Sequence, residues 1–192
     1  MGLPAEKTRF TAEDYLQWEA GQTLRHEYVD GEVFAMAGAD DRHVTVSLNA
    51  AMALRQHLSG TPCRTYMADM KLHVQAANSF HYPDVMVTCS PADAQDRLVK
   101  REPRLLIEVL SESTAGYDRG AKFGFYRLLP SLQEYALIDP QDRTVDVYRK
   151  GPDGLWVLHP FAAGATVRLD SVGLDLPAVM LFAEVDDAPA AA

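Results

Sequence analysis

The chain has 192 residues, 47% of them hydrophobic and 23% charged, the proportions of a folded globule rather than of a disordered or fibrous chain. That length suits one domain with a core large enough to fold without a disulfide or metal staple. With 18 Lys+Arg against 27 Asp+Glu the net charge is −9, which argues against a surface that coats nucleic acid by bulk charge but leaves a local basic groove open.

The opening segment MGLPAEKTRF lacks the apolar stretch of a secretory signal, and Glu6 breaks the myristoylation pattern after Gly2. No apolar run approaches the roughly 18 residues of a membrane span, so a cytoplasmic protein with no membrane partner is expected. Thr11 can cap a first helix, with Asp14 at its third position and Phe10 and Tyr15 placed as a hydrophobic staple. That helix is expected to end near Gly21. Strand formers on both sides of Asp30-Gly31 predict a hairpin. Over 40–58 the spacing of Val44, Leu48, Ala51, Leu54 and Leu58 predicts a helix with those residues inward and Asp40 or Asp41 as its cap. Cys63 and Cys89 make neither a disulfide framework nor a zinc set and are expected as small thiols in a reducing compartment.

Strands dominate the middle of the chain. Met70, Leu72 and Val74 alternate with Asp69, Lys71 and His73, and residues 82–87 form a strand with Pro83 at its start. The polar stretch 90–103 reads as a long loop or short helix. Its basic residues, Arg97, Lys100 and Arg101, with Arg104 beyond it, are candidates for contacting a polyanionic substrate. Residues 105–110, Leu-Leu-Ile-Glu-Val-Leu, are apolar on both faces except for Glu108, as central strands of a covered sheet are. Residues 118–129 read as a helix packed through Ala121, Phe125 and Leu128, with Lys122 at the border of the buried face. Residues 134–139 and 144–149 pair as strands, and short strands come next at 154–161 and 166–169. A single domain over 1–182 is expected, with 183–192 as a flexible acidic, alanine-rich tail.

Glu108 is the sharpest chemical signal, because a carboxylate inside an apolar strand must be paired or metal-bound. Asp84 alone reads as an edge-strand acid. Beside Glu108 it makes two carboxylates on neighbouring strands, the minimum equipment for holding Mg²⁺ or Mn²⁺ in phosphodiester hydrolysis. His43 falls in the first turn of its helix, where the dipole favours neutral imidazole, and it can accept a proton, contact phosphate or simply hydrogen-bond. Glu27 reads as a hairpin surface charge. Ser111 and Ser113 have no histidine placed as their base, and Tyr126 and Tyr135 read as core or groove wall.

These motifs carry a resemblance. HEYVDGE (26–32), His43, YPDV (82–85), LIEVLSEST (106–114), Asp118, Lys122 and Tyr126, and EYALIDP (134–140) run in the order seen in the Uma-two family of restriction endonucleases, within the PD-(D/E)XK nuclease superfamily. The resemblance implies an α/β (α+β) restriction-endonuclease-like fold, a mixed β-sheet flanked by helices with additional hairpins. It implies a Mg²⁺-dependent endonuclease acting on DNA, with Asp84 and Glu108 as metal ligands and Glu27 as a third acid. A homodimer would suit cutting both strands of a duplex. One departure stands out. The superfamily's E-x-K lysine position is Leu110 here, so the lysine comes from elsewhere or the chain is a non-catalytic nucleic-acid-binding or scaffold domain. Lys122 is the first replacement and Lys71 the second, and Lys122→Ala is expected to abolish cleavage while leaving the fold nearly intact.

Overall fold

A computed structural model of the protein describes residues 9–36 and 38–185. Helix α1 (Ala12–Glu19) begins at Thr11, whose hydroxyl accepts from the Asp14 N–H while the Asp14 carboxylate accepts from the Thr11 N–H. Strands β1 (His26–Val29) and β2 (Glu32–Ala35) close through Asp30-Gly31, whose φ values of 43° and 97° are those that Asp-Gly supplies to a two-residue hairpin. Helix α2 (Asp41–His57) is capped by Asp40. Then come β3 (Arg64–Met67), β4 (Lys71–Val74), β5 (Ser79–His81), β6 (Val85–Thr88), α3 (Pro91–Gln95), β7 (Val99–Lys100) and β8 (Pro103–Val109). Next α4 (Ala115–Tyr117), a π-helical segment (Asp118–Lys122) and α5 (Phe123–Tyr126) run without a break. The chain continues through β9 (Glu134–Asp139), β10 (Thr144–Lys150), β11 (Trp156–Phe161), β12 (Thr166–Leu169), β13 (Leu174–Pro177) and α6 (Ala178–Leu181).

The strands make a six-stranded sheet in the order β11-β10-β9-β8-β6-β3, a five-stranded sheet in the order β2-β1-β5-β4-β7, and the pair β12-β13. Strand β8 is central, antiparallel to β6 and parallel to β9. Period-two alternation divides its side chains between two cores. Leu105, Ile107 and Val109 pack with Val46, Ala50 and Leu54 of α2. Leu106 and Leu110 pack with Tyr126, Leu129, Tyr135 and Leu137. Glu108 therefore points into the second of these layers.

The helix faces differ in part from the spacing argument: Ala51, Leu54 and Leu58 are buried as expected, and other positions are not. On α2, Val46, Ala50 and Leu54 are fully buried, while Val44 and Leu48 are 52% and 46% exposed. The helix turns the line His43, Ser47, Ala50, Leu54 inward, because His43 engages Asp84 on the sheet and small Ala50 allows close approach. On the later helix the buried line is Lys122, Tyr126 and Leu129, one residue on from the expected Ala121, Phe125 and Leu128. Ala121 and Leu128 are exposed. Lys122 lies on the buried face rather than at its border.

Three further expectations are corrected. Pairing of β3 with β6 sets Cys63 opposite Cys89, and the two form a disulfide rather than free thiols. Nothing in a separation of 26 residues announces that register. The basic stretch is largely tied into its own turn. Lys100 is 2% exposed, donates to the Asp93 and Asp96 carbonyls and lies over the Tyr66 ring. Arg101 pairs with Asp96 at 2.6 Å, and Arg97 is left exposed. The packed chain also runs past residue 182: Asn49 donates to the Leu181 and Ala183 carbonyls, and Val185 is buried. The rest of the expected tail, 186–192, lies outside the described residues.

Asp93 organises this region. It is 2% exposed and accepts from the Thr88 hydroxyl and from the N–H groups of Arg101 and Glu102. Stranding those donors makes Asp93→Ala cost about 3 kcal/mol in urea unfolding. Arg97→Ala leaves the unfolding midpoint unchanged.

Candidate active site

A cavity of about 610 Å³ is lined by Glu27 from β1, His43 from α2, Asp84 from the residue before β6, Glu108 from β8, and Asp118 and Lys122 from the π segment. Register explains the first pairing. Val85 lies opposite Ile107, so the next step outward sets Asp84 opposite Glu108. Asp84 Oδ2 accepts from the Val109 N–H at 2.8 Å and lies 3.1 Å from His43 Nε2.

Glu108, 3% exposed, accepts from the Tyr126 hydroxyl at 2.7 Å. Its Oε1 is 3.0 Å from Lys122 Nζ. The same ammonium is 3.4 Å from Glu27 Oε1 and 3.4 Å from Asp118 Oδ1. The π segment places Asp118 and Lys122 together on the buried side, and such wide turns recur at functional sites. Tyr135 donates to the Asp118 carbonyl, Tyr117 donates to Glu27 at 3.5 Å, and His81 Nδ1 lies 3.3 Å from Glu27.

One ammonium thus faces three carboxylates, with Asp84 nearby. Burial pushes the Lys122 amine toward neutrality, but Glu108, Glu27 and Asp118 outweigh it and hold the charge well above the ordinary lysine range. Burial lifts Glu27, yet Lys122 and His81 bring it down to about 2. Burial also lifts Glu108, the Asp84 and Asp118 charges add to that, and Lys122 offsets only part, so this carboxyl sits well above its usual value. His43 is desolvated, but its bond to Asp84 and the charges of Asp84 and Asp40 raise it. The nearby carboxylate thus works against the helix dipole, which favours the neutral imidazole.

The structure brings together Asp84, Glu108, Lys122, Glu27 and His43. It does not bring Arg97, Lys100 or Arg101, none of which lines the cavity. Lys71 stands over the Tyr15 and Tyr82 rings, outside the carboxylate cluster. Leu110, two residues past Glu108, is buried among apolar neighbours, and the lysine beside Glu108 arrives from the following helix. Asp118 is more than the surface partner of an i,i+4 pair, and Tyr126 is more than groove wall. The spacing of four between Tyr126 and Lys122 was the available signal. His81 carried none.

No group of three His, Cys, Asp or Glu side chains among the described residues is arranged to hold a metal ion. The pair Asp84 and Glu108 still suits Mg²⁺, which binds through one or two carboxylates and keeps several waters or substrate oxygens. A zinc-type cage of protein ligands does not fit.

A family model described as Uma2, "Putative restriction endonuclease", matches residues 12–178. The chain belongs to that family. It is 36% identical over 174 residues to an uncharacterised Synechocystis protein, slr1290, covering 91% of this chain and 92% of that one. It is 38% identical over 150 residues to a second, sll1609, covering 77% and 85%. A crystal structure described as "a putative nuclease belonging to DUF820" from Anabaena variabilis superposes with a TM-score of 0.74 at 18% identity, over 90% of this chain and 97% of that one. The Uma2 chain therefore has the expected restriction-endonuclease-like fold. Among its described residues no helix is long and apolar enough to cross a membrane.

The cluster sets two stability measurements. Lys122 holds three buried carboxylates, so Lys122→Met should strand them and cost about 3–5 kcal/mol in urea unfolding, against the nearly intact fold expected from the sequence for Lys122→Ala. Glu108 has a folded value above its unfolded one, so its contribution is complete below the ordinary glutamate range and is lost as pH rises through the elevated value. In chelator the wild type should lose up to about 1.4 kcal/mol per pH unit above that range, and Glu108→Gln should flatten the loss in urea melts. A wild-type profile as flat as that of Glu108→Gln would contradict the assignment.

Proposed function

We propose that the chain is a metal-dependent endodeoxyribonuclease that hydrolyses DNA phosphodiester bonds. One observation carries the reading: Asp84 and Glu108 stand opposite each other on neighbouring strand ends, with the Lys122 ammonium 3.0 Å from Glu108. Asp84 and Glu108 would hold Mg²⁺ or Mn²⁺, with Glu27 as the third acid across Lys122. When bound, the ion supplies a lower pKa for water and positive charge against the phosphate.

The chain's own residues do the rest. His43 and the Val109 N–H hold one oxygen of Asp84, which orients its carboxylate. Tyr126 and Lys122 both hold Oε1 of Glu108. The Lys122 ammonium is a compact charge that can orient the attacking water or steady a phosphate oxygen, the part played by the E-x-K lysine in the wider superfamily. That supply of a lysine from the helix favours catalysis over the scaffold reading, which rested on Leu110.

The test is cleavage of single-stranded circular DNA and supercoiled duplex with Mg²⁺ or Mn²⁺. Wild type should cut, and Asp84→Ala should be slower by about 10²–10³-fold. Calorimetric titration with Mn²⁺ should give binding to wild type and none to Glu108→Ala. Cleavage by Asp84→Ala at the wild-type rate would sink the assignment.

A further inference from the structure

We infer that this cavity receives single-stranded DNA, its unpaired bases lying on an apolar wall outside the carboxylates, rather than a paired duplex. The inference rests on the nuclease reading and specifies its substrate. Five lining side chains are large, apolar and open to solvent: Phe34 (48% exposed), Met36 (36%), Val44 (52%), Met67 (37%) and Tyr117 (37%). Apolar side chains gathered round one mouth mark a binding surface.

Their placement follows the polar groups. Phe34 lies directly across the β1–β2 hairpin from Glu27. Met67 pairs with Val85, the residue after Asp84. Val44 follows His43 along α2, and Tyr117 precedes Asp118. Glu27, His43, Asp84 and Asp118 thus each have one of these apolar side chains close by in the strand pairing or along the chain.

Charge separates the two substrates. A protein that grips duplex DNA does so by neutralising several phosphates with Lys and Arg. Among the described residues lining the cavity Lys122 is the only Lys or Arg, and three carboxylates already face its ammonium. Single strands instead draw affinity from bases stacked on side-chain faces, which every base can supply. Depth points the same way. Glu27 and Glu108 are 8% and 3% exposed, so the phosphate must enter the cavity. An unpaired strand can turn inward, whereas a duplex is stiff and keeps its bases stacked inside.

The experiment is fluorescence anisotropy with Ca²⁺ in place of Mg²⁺. An oligothymidylate of about 16 nucleotides is compared with a duplex of the same length over a range of salt. The single strand should bind about tenfold tighter or better, with a salt slope of only about −1 to −2. Phe34→Ala, on an exposed edge strand, should weaken single-strand binding by about 5- to 150-fold, and Phe34→Trp should restore it. Duplex binding equal to or tighter than single-strand binding would overturn the inference, as would equal weakening of both by Phe34→Ala. Equal cleavage of the two circular DNAs, lost in Asp84→Ala, would keep the nuclease reading and overturn this one. Single-strand binding without cleavage of either circle would overturn the nuclease reading alone.

Discussion

The Lys122 ammonium is the point on which the arrangement turns. It is held by Glu27 of the five-stranded sheet, Glu108 of the six-stranded sheet and Asp118 of the helical segment between β8 and β9. A buried charge left without partners costs several kcal/mol, so the three elements constrain one another's position. The cluster is also unbalanced. Three carboxylates meet one ammonium, and with Asp84 alongside, Glu108 is the group driven towards its neutral form.

The cluster accounts for Leu110. A strand residue two past Glu108 shares its face, and here that face closes on Tyr126, Leu129 and Leu137. A charge at that position would enter an apolar layer. The ammonium instead reaches Glu108 from the facing helix, where its stem lies along the core and its head meets the acids. The same pair of groups is brought together by helix and strand rather than by one strand.

Around this centre the positive charges of 97–104 have other partners. Lys100 and Arg101 bind α3 and the residue after it, and Asp93 ties that turn to β6. Among the described residues the cavity wall carries one Lys and no Arg beside its acids and apolar side chains, consistent with a net charge of −9. Val44 of α2 belongs to the same wall, since the turn of the helix that brings His43 to Asp84 carries Val44 outward.

Local patterns were legible in the sequence wherever neighbours along the chain decide the outcome. The Thr11 capping box, the Asp30-Gly31 hairpin, the β9–β10 pair and the buried strand around Glu108 all depend on contacts within a few residues or on period-two burial. Asp84, Glu108 and Lys122 could be singled out because charged side chains in or beside apolar runs need partners. Which partners they find was decided by the tertiary structure. Residue spacing could not say that Glu27 crosses from another sheet to Lys122, that Tyr126 and His81 hold acids, or that Cys63 faces Cys89. Nor could it choose between helix faces one or two residues apart, because apolar side chains on α2 fit either. The choice came from His43 meeting Asp84 and from Lys122 meeting its acids, contacts between groups on separate elements whose energies exist only once the sheets have assembled.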